Sequence, residues 1–177
     1  MKNSKKVFLT GERGVGKTTA ITRFVTKSKL SPMGFNTVAG GATEDPGVDY
    51  VYIIPYGKEL DCNAKPVAKR DTNEHNITKY PESFDSIGVE ILTGSQNAEL
   101  IIMDELGFME ADAKLFQKSV LSCLDLDVSV LGVIKPMAIK FLDAIRAHKS
   151  VEIIEVTVEN RETVLEILLD SFLMEKK

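Results

Sequence analysis

The stretch Gly11-Glu12-Arg13-Gly14-Val15-Gly16-Lys17-Thr18 constrains the fold of this chain more than any other feature. It has the pattern G-x-x-x-x-G-K-T, a phosphate-binding P-loop. Glycines reach backbone angles closed to other residues, so successive N–H groups can turn inward around phosphate oxygens. A helix that begins at the end of the loop adds the positive end of its dipole. The pattern therefore has meaning only between a strand and a helix, and both flanks comply. Lys5 to Thr10 predicts a strand rich in Val, Phe and Leu. Lys17 to Lys29 predicts a helix with Ile21, Phe24 and Val25 as its buried stripe. Within the loop, Lys17 has the reach to contact β- and γ-phosphates and Thr18 carries a hydroxyl suited to Mg2+. Gly11, Glu12, Arg13, Gly14, Val15, Gly16, Lys17, Thr18 and Thr19 are the candidate nucleotide-binding residues.

The rest of the chain alternates short apolar runs with segments of helical period, the pattern of a mostly parallel sheet covered by helices on both faces. Leu100-Ile101-Ile102-Met103 is apolar throughout, as befits a strand buried on both faces; the strand is predicted over 99–104. Further strands are predicted over 128–134 and 151–158. Helices are predicted over 81–92, through Phe84, Ile87 and Ile91, and over 111–124, through Leu115, Phe116, Val120 and Leu124. A third is predicted over 136–148, opened by Pro136 near its first turn. The last runs over 161–174, through Val164, Leu165, Leu168 and Phe172. Residues 31–80 are the least regular part, punctuated by Pro32, Gly34, Gly40, Gly41, Pro46 and Gly47. A strand over 49–56, paired with 65–70, gives a hairpin-like insertion. The length of 177 residues and the lack of any linker or repeat predict a single domain, 1–177.

The buried strand over 99–104 ends in Asp104, at the carboxyl edge of the sheet where α/β proteins bind ligands. Asp104 is the candidate Mg2+ partner with Thr18, directly or through a water. Glu105 beside it is the candidate catalytic group that polarises an attacking water, with Lys17 as the charge on the phosphates. Glu110 is placed to orient this acidic turn from outside it. Asn160 and Arg161 follow the last strand at the same edge and are candidates for contact with base or ribose; Asn160 is equally an N-cap for the final helix. Lys135 ends another strand, as a γ-phosphate sensor or an exposed lysine. Arg13 and Arg70 are the candidate sources of transition-state charge.

Composition narrows the function classes. A net charge of −4, with 44% hydrophobic and 27% charged residues, gives no basic footprint for DNA or RNA. The three lysines among residues 1–6 are followed by no apolar segment long enough for a signal peptide or membrane span. Cys62 and Cys123 form neither a disulfide framework nor a zinc spacing, and are expected as an exposed loop thiol and a core thiol. The expectation is a protein of the reducing cytoplasm, with no protein partner indicated.

Several stretches together resemble the small P-loop nucleoside-triphosphatases typified by thermophilic archaeal and bacterial NTPases and human cancer-related NTPase. They are TGERGVGKTT over 10–19, Gly34-Phe35 with Thr37, Lys79-Tyr80 before a helix with Gly88-Val-Glu-Ile-Leu, IIMDELGFME over 101–110, Leu131-Gly-Val-Ile, and EVTVENR over 155–161. They span nearly the whole chain in order. The resemblance implies a three-layer RecA-like sandwich. It also implies slow Mg2+-dependent hydrolysis of ATP, GTP and other nucleoside triphosphates to diphosphate and phosphate, with broad base tolerance. Two stretches depart from it: Val38-Ala39-Gly40-Gly41 stands where the family has an acidic and a basic residue, and 58–78 is more polar than the common pattern. Two other readings remain open on the residues alone. One is a nucleotide or small-molecule kinase, although no arginine cluster suggests a lid. The other is a nucleotide-dependent switch or assembly factor with little useful turnover.

Overall fold

In the computed structural model, which describes residues 4–40 and 45–173, the apolar runs become strands of one mixed sheet. They are β1 (Lys6–Thr10), β2 (Pro32–Gly40), β3 (Val48–Pro55), β4 (Ala68–Asp71), β5 (Asn76–Lys79), β6 (Leu100–Leu106), β7 (Ser129–Ile134) and β8 (Val151–Glu155). Their order is β5-β4-β3-β2-β6-β7-β1-β8. The β2–β6, β6–β7, β7–β1 and β1–β8 ladders are parallel. The β2–β3, β3–β4 and β4–β5 ladders are antiparallel, so the expected hairpin-like insertion extends one edge of the sheet and has gained β5.

Alternation along the central strands explains why their sequences are apolar throughout. Val7, Leu9, Leu100, Ile102, Leu131 and Val133 face one layer, formed by α1 (Lys17–Ser28) and α6 (Val164–Leu173). Phe8, Ile101, Met103, Val130 and Ile134 face the other. That second layer holds α2 (Pro81–Ser83), a π turn over Phe84–Gly88, α3 (Val89–Gly94), α4 (Lys114–Asp125) and α5 (Lys140–Arg146). Phe24 meets Phe172 in the first layer with ring centroids 5.0 Å apart. In the second, Phe116 meets Phe35 at 5.5 Å and Phe84 at 5.3 Å. The result is the three-layer α/β sandwich expected from the pattern. Cys62 is exposed and Cys123 buried. No helix among the described residues is long and apolar enough to cross a membrane.

Several boundaries differ from the sequence reading. The punctuated segment after residue 31 contains β2, a full strand beside β6. Gly34 in it has φ 107, and a Cβ there would lie 2.0 Å from the Ile102 carbonyl oxygen. The glycine lets two backbones approach and breaks nothing. Residues 111–113 form a turn rather than helix. The helix begins at Lys114 and turns Phe116, Val120, Cys123 and Leu124 inward. Leu115 is left 60% exposed, outside the stripe expected for it. Pro136 opens no helix; the chain stays irregular to Ile139, and α5 starts at Lys140. The Arg146 guanidinium donates to the Lys135 and Met137 carbonyls at 2.7 and 3.1 Å and holds that turn. β8 stops at Glu155, and the final helix begins at Val164. Gly41 and Met174 lie outside the described residues.

Candidate active site

The P-loop joins β1 to α1, as its pattern requires. Gly11, Gly14 and Gly16 have φ of 132, 83 and 107°. A Cβ on Gly11 would stand 2.2 Å from the Val156 carbonyl oxygen, so the loop is pressed against the exit of β8. Around Gly14 and Gly16 there is open space, and glycine is needed there for the backbone angle alone. Lys17 opens α1 and is buried. Its ammonium donates to the Gly11 and Glu12 carbonyls at 2.8 and 2.6 Å. Burial lowers its pKa, against the opposing pull of the Glu105 and Asp104 carboxylates. Val15 is buried, whereas Glu12, Arg13, Gly14, Thr18 and Thr19 are exposed.

The strand order brings the acids to this loop. β7 lies between β1 and β6, and all three run parallel, so their carboxyl ends share one edge. Asp104 is 6% exposed, and the Thr18 hydroxyl donates to its Oδ1 at 3.3 Å. Desolvation raises the Asp104 pKa to about 6; the Thr18 bond and the Lys17 charge oppose the rise, and Glu105 adds to it. The strand continues past Asp104 to Leu106, with the β6–β7 register shifting between Met103 and Leu106. The Asp104–Glu105 peptide is cis.

Glu105 Oε1 lies 3.2 Å from Lys135 Nζ, both side chains about one third exposed at 35% and 30%. Lys135, set down in the sequence as either sensor or exposed lysine, is thus paired with the candidate catalytic carboxylate. Its stem crosses Gly107, where a Cβ would stand 2.8 Å from Lys135 Cδ. Glu110 is 3% exposed and accepts the Gly107 N–H in a short hydrogen bond. Burial pushes its pKa up to about 7, opposed by that bond and by Lys135. The expected orienting role has its geometry here. Thr37, on β2, donates to the Glu105 carbonyl at 3.3 Å and fixes the turn from the opposite side.

These groups border a cavity of about 390 Å³ that reaches from Gly11, Arg13 and Lys17 past Glu105 and Lys135 to Arg70 on β4. Arg70 Nε and Nη2 donate to the two Asp49 carboxylate oxygens at 2.7 and 2.5 Å. Asn160 and Arg161 are not among the cavity's lining residues. Asn160 Oδ1 accepts the Thr157 N–H and its Nδ2 donates to the Glu155 carbonyl, each at 2.8 Å. It therefore braces the turn lying behind Gly11; its side chain does not cap α6. Arg161 is exposed beside Glu162 at 3.6 Å.

Two contributors carried no usable signal in the sequence. Arg146 holds the Lys135 turn from eleven residues downstream. Phe108 lies below two ammonium groups, Lys135 Nζ at 5.3 Å and Lys79 Nζ at 5.8 Å from its ring centroid. Among the described residues no group of three or more His, Cys, Asp or Glu is arranged to hold a metal. The oxygens of Thr18 and Asp104 converge, a donor set suited to a cation completed by phosphate oxygens and water, as magnesium prefers.

The chain is similar to known proteins over nearly its whole length. A family model described as NTPase matches residues 6–169. The nucleoside-triphosphatase THEP1 of Thermotoga sp. (strain RQ2) is 31% identical, the match covering 93% of each chain. The cancer-related nucleoside-triphosphatase homolog of Bos taurus is 30% identical over 92% of this chain and 93% of its own. The crystal structure of THEP1 from Aquifex aeolicus superposes with a TM-score of 0.73 at 25% identity, covering 96% of this chain and 99% of that one.

Proposed function

The chain belongs to this NTPase family, and from that premise we propose that it cleaves the β–γ phosphoanhydride of ATP, GTP and other nucleoside triphosphates with magnesium. The observation that carries the reading is the meeting of Thr18 and Asp104 at 3.3 Å with Glu105 next in the chain. The loop amides and Lys17 hold the β- and γ-phosphates, Lys17 exchanging its carbonyl partners for phosphate oxygens. Magnesium held by Thr18 and Asp104 would neutralise charge on the β- and γ-oxygens. Glu105 orients a water for in-line attack and accepts its proton. Lys135, already on Glu105, adds positive charge where the γ-phosphate oxygens gather. Glu110 and Thr37 keep the acidic turn in place. Because the loop and its acids engage phosphates alone, the reading includes broad tolerance for the base. The two free thiols support work in a reducing cytoplasm.

The test is phosphate release across the common nucleoside triphosphates, with and without a magnesium chelator, in wild type, Lys17→Ala and Glu105→Gln. Lys17→Ala loses nucleotide binding. Glu105→Gln keeps binding and loses ~10²–10⁴ of the rate, the usual loss for a general base. Full turnover in Glu105→Gln sinks the role given to Glu105, and turnover indifferent to the chelator sinks the role of magnesium.

A further inference from the structure

In phosphoryl transfer the γ-phosphoryl group passes through a loose transition state with charge spread over its outer oxygens, and a protein cation aimed at those oxygens lowers the barrier. The cavity at the sheet edge is bordered by four cations, Arg13, Lys17, Arg70 and Lys135, and by two acids, Glu105 and Glu110. Three of the cations have protein partners. Lys17 donates to the Gly11 and Glu12 carbonyls, and Lys135 is 3.2 Å from Glu105. Arg70 faces Asp49 across the β3–β4 ladder and gives Nε and Nη2 to its two carboxylate oxygens. Arg13 makes no side-chain hydrogen bond or ion pair among the described residues.

The other arginines are engaged elsewhere. Arg23 meets Glu162 at 3.1 Å, and Arg161 lies 3.6 Å from the same residue. Arg146 donates to the Lys135 and Met137 carbonyls and to Asp143. These five are all the arginines of the chain, and Arg13 alone is uncommitted. Its place suits the task. Arg13 lies between Gly11 and Lys17 in the phosphate loop, exposed, and borders the cavity beside Glu105 and Lys135. Lys17 serves the β- and γ-phosphates, so this wall of the loop is where the γ-phosphate meets its attacking water. Gly14 next to Arg13 has open space around it, which leaves the long side chain room to fold over a bound phosphate. A guanidinium carries five N–H donors in a planar fork and can span two phosphate oxygens at once.

We propose that Arg13 supplies the transition-state charge from within the phosphate loop, so that the site needs no arginine from a partner protein. The inference rests on the triphosphate site proposed above. As the water oxygen bonds to the γ-phosphorus, its proton passes to Glu105. The bond from that phosphorus to the β–γ bridging oxygen breaks, and the electron pair leaves on the nucleoside diphosphate. Arg13 takes hold of the γ-oxygens and the bridging oxygen as this charge develops, and contributes little to binding before it does.

The experiment compares wild type, Arg13→Ala and Arg23→Ala as full chains. It measures phosphate release from ATP with magnesium, binding of ADP, and binding of ADP with magnesium and aluminium fluoride, which mimics the phosphoryl group in transit. Arg13→Ala is expected to lower kcat ~10²–10³-fold, to bind ADP as wild type does, and to lose the added affinity that aluminium fluoride gives. Arg23→Ala removes the same charge from an exposed pair on α1 and turns over as wild type does. Circular dichroism establishes that both variants fold. An unchanged kcat in Arg13→Ala overturns the role and leaves the triphosphatase reading standing. So does a loss of ADP affinity as large as the loss of kcat, which makes Arg13 an ordinary binding contact. An equal loss in Arg23→Ala overturns it as well, since net charge alone then explains the effect. A wild type that releases no phosphate removes the triphosphatase reading and this role with it.

Discussion

Replacing Asp104 by asparagine should stabilise the fold while removing its chemistry, and the size of the gain follows from burial. The folded carboxyl titrates at about 6 against an ordinary 3.8, with desolvation the largest cause. A raised carboxyl pKa means the folded state binds the proton more tightly than the unfolded one, so stability falls as pH rises through the window from about 4 to about 6. At pH 8 the group is ionised in both states, and keeping the charge buried costs about 3 kcal/mol. At pH 5 it is mostly protonated when folded and mostly ionised when unfolded, and the cost falls by about half. Asparagine occupies the same volume, can accept the Thr18 hydroxyl, and carries no such cost. Asp104→Asn is therefore expected to exceed wild type by about 3 kcal/mol at pH 8, or about 6–12 °C in Tm for a chain of this size, and by about half that at pH 5. The assay is urea unfolding at both pH values in the presence of a chelator, since a bound cation would stabilise only the wild type. Phosphate release is measured in parallel. The variant has almost no turnover, because a neutral amide replaces the charged oxygen that would hold magnesium. A variant no more stable than wild type at pH 8, or a difference that does not change with pH, refutes the reasoning.

Lys135→Ala removes the charge paired with Glu105 and is expected to lower kcat ~10²–10³-fold, as for loss of one transition-state donor, with nucleotide affinity reduced far less; steady-state kinetics beside equilibrium binding separates the two. Asn160→Ala cuts the two bonds bracing the turn behind Gly11 and is expected to cost about 1–3 kcal/mol, read by urea unfolding, with a raised KM as the loop loses its backing. An unchanged KM in that variant would confine Asn160 to stability.

The parallel core was legible because period and burial agree along it. Val7 to Leu9 and Leu100 to Met103 are apolar at every position, which only a strand with a layer on each side tolerates, and the helical stripes between them repeat every three or four residues. β2 was illegible for the opposite reason. Gly34 was read as punctuation because a single sequence shows that a glycine is present and never why. Its reason is Ile102 on the neighbouring strand, 68 residues away, whose carbonyl leaves no room for a Cβ. Leu115 failed on spacing: at about 100° per residue it stands off the face that Phe116, Val120, Cys123 and Leu124 share, and it is 60% exposed.

The site divides along the same line. The roles expected of the P-loop, Asp104 and Glu105 come from chemistry written in contiguous residues, where neighbours in sequence are neighbours in space. Lys135 came into focus only through topology. Whether a lysine ending a strand meets an acid depends on which strand lies beside which, and β7 runs between the loop strand and the acid strand. That order puts Lys135 beside both, and Arg146, donating to its carbonyl at 2.7 Å, fixes the turn that aims it. The insertion of β7 has a chemical consequence. It separates the loop from Glu105 by one strand spacing, about 4.8 Å on each side, and so leaves a gap at the sheet edge wide enough for a γ-phosphate with an attacking group beyond it. Were β6 directly against β1, Glu105 would crowd the phosphates that Lys17 holds, and the space bordered by Thr37, Phe108 and Arg70 would not open onto the reacting atom.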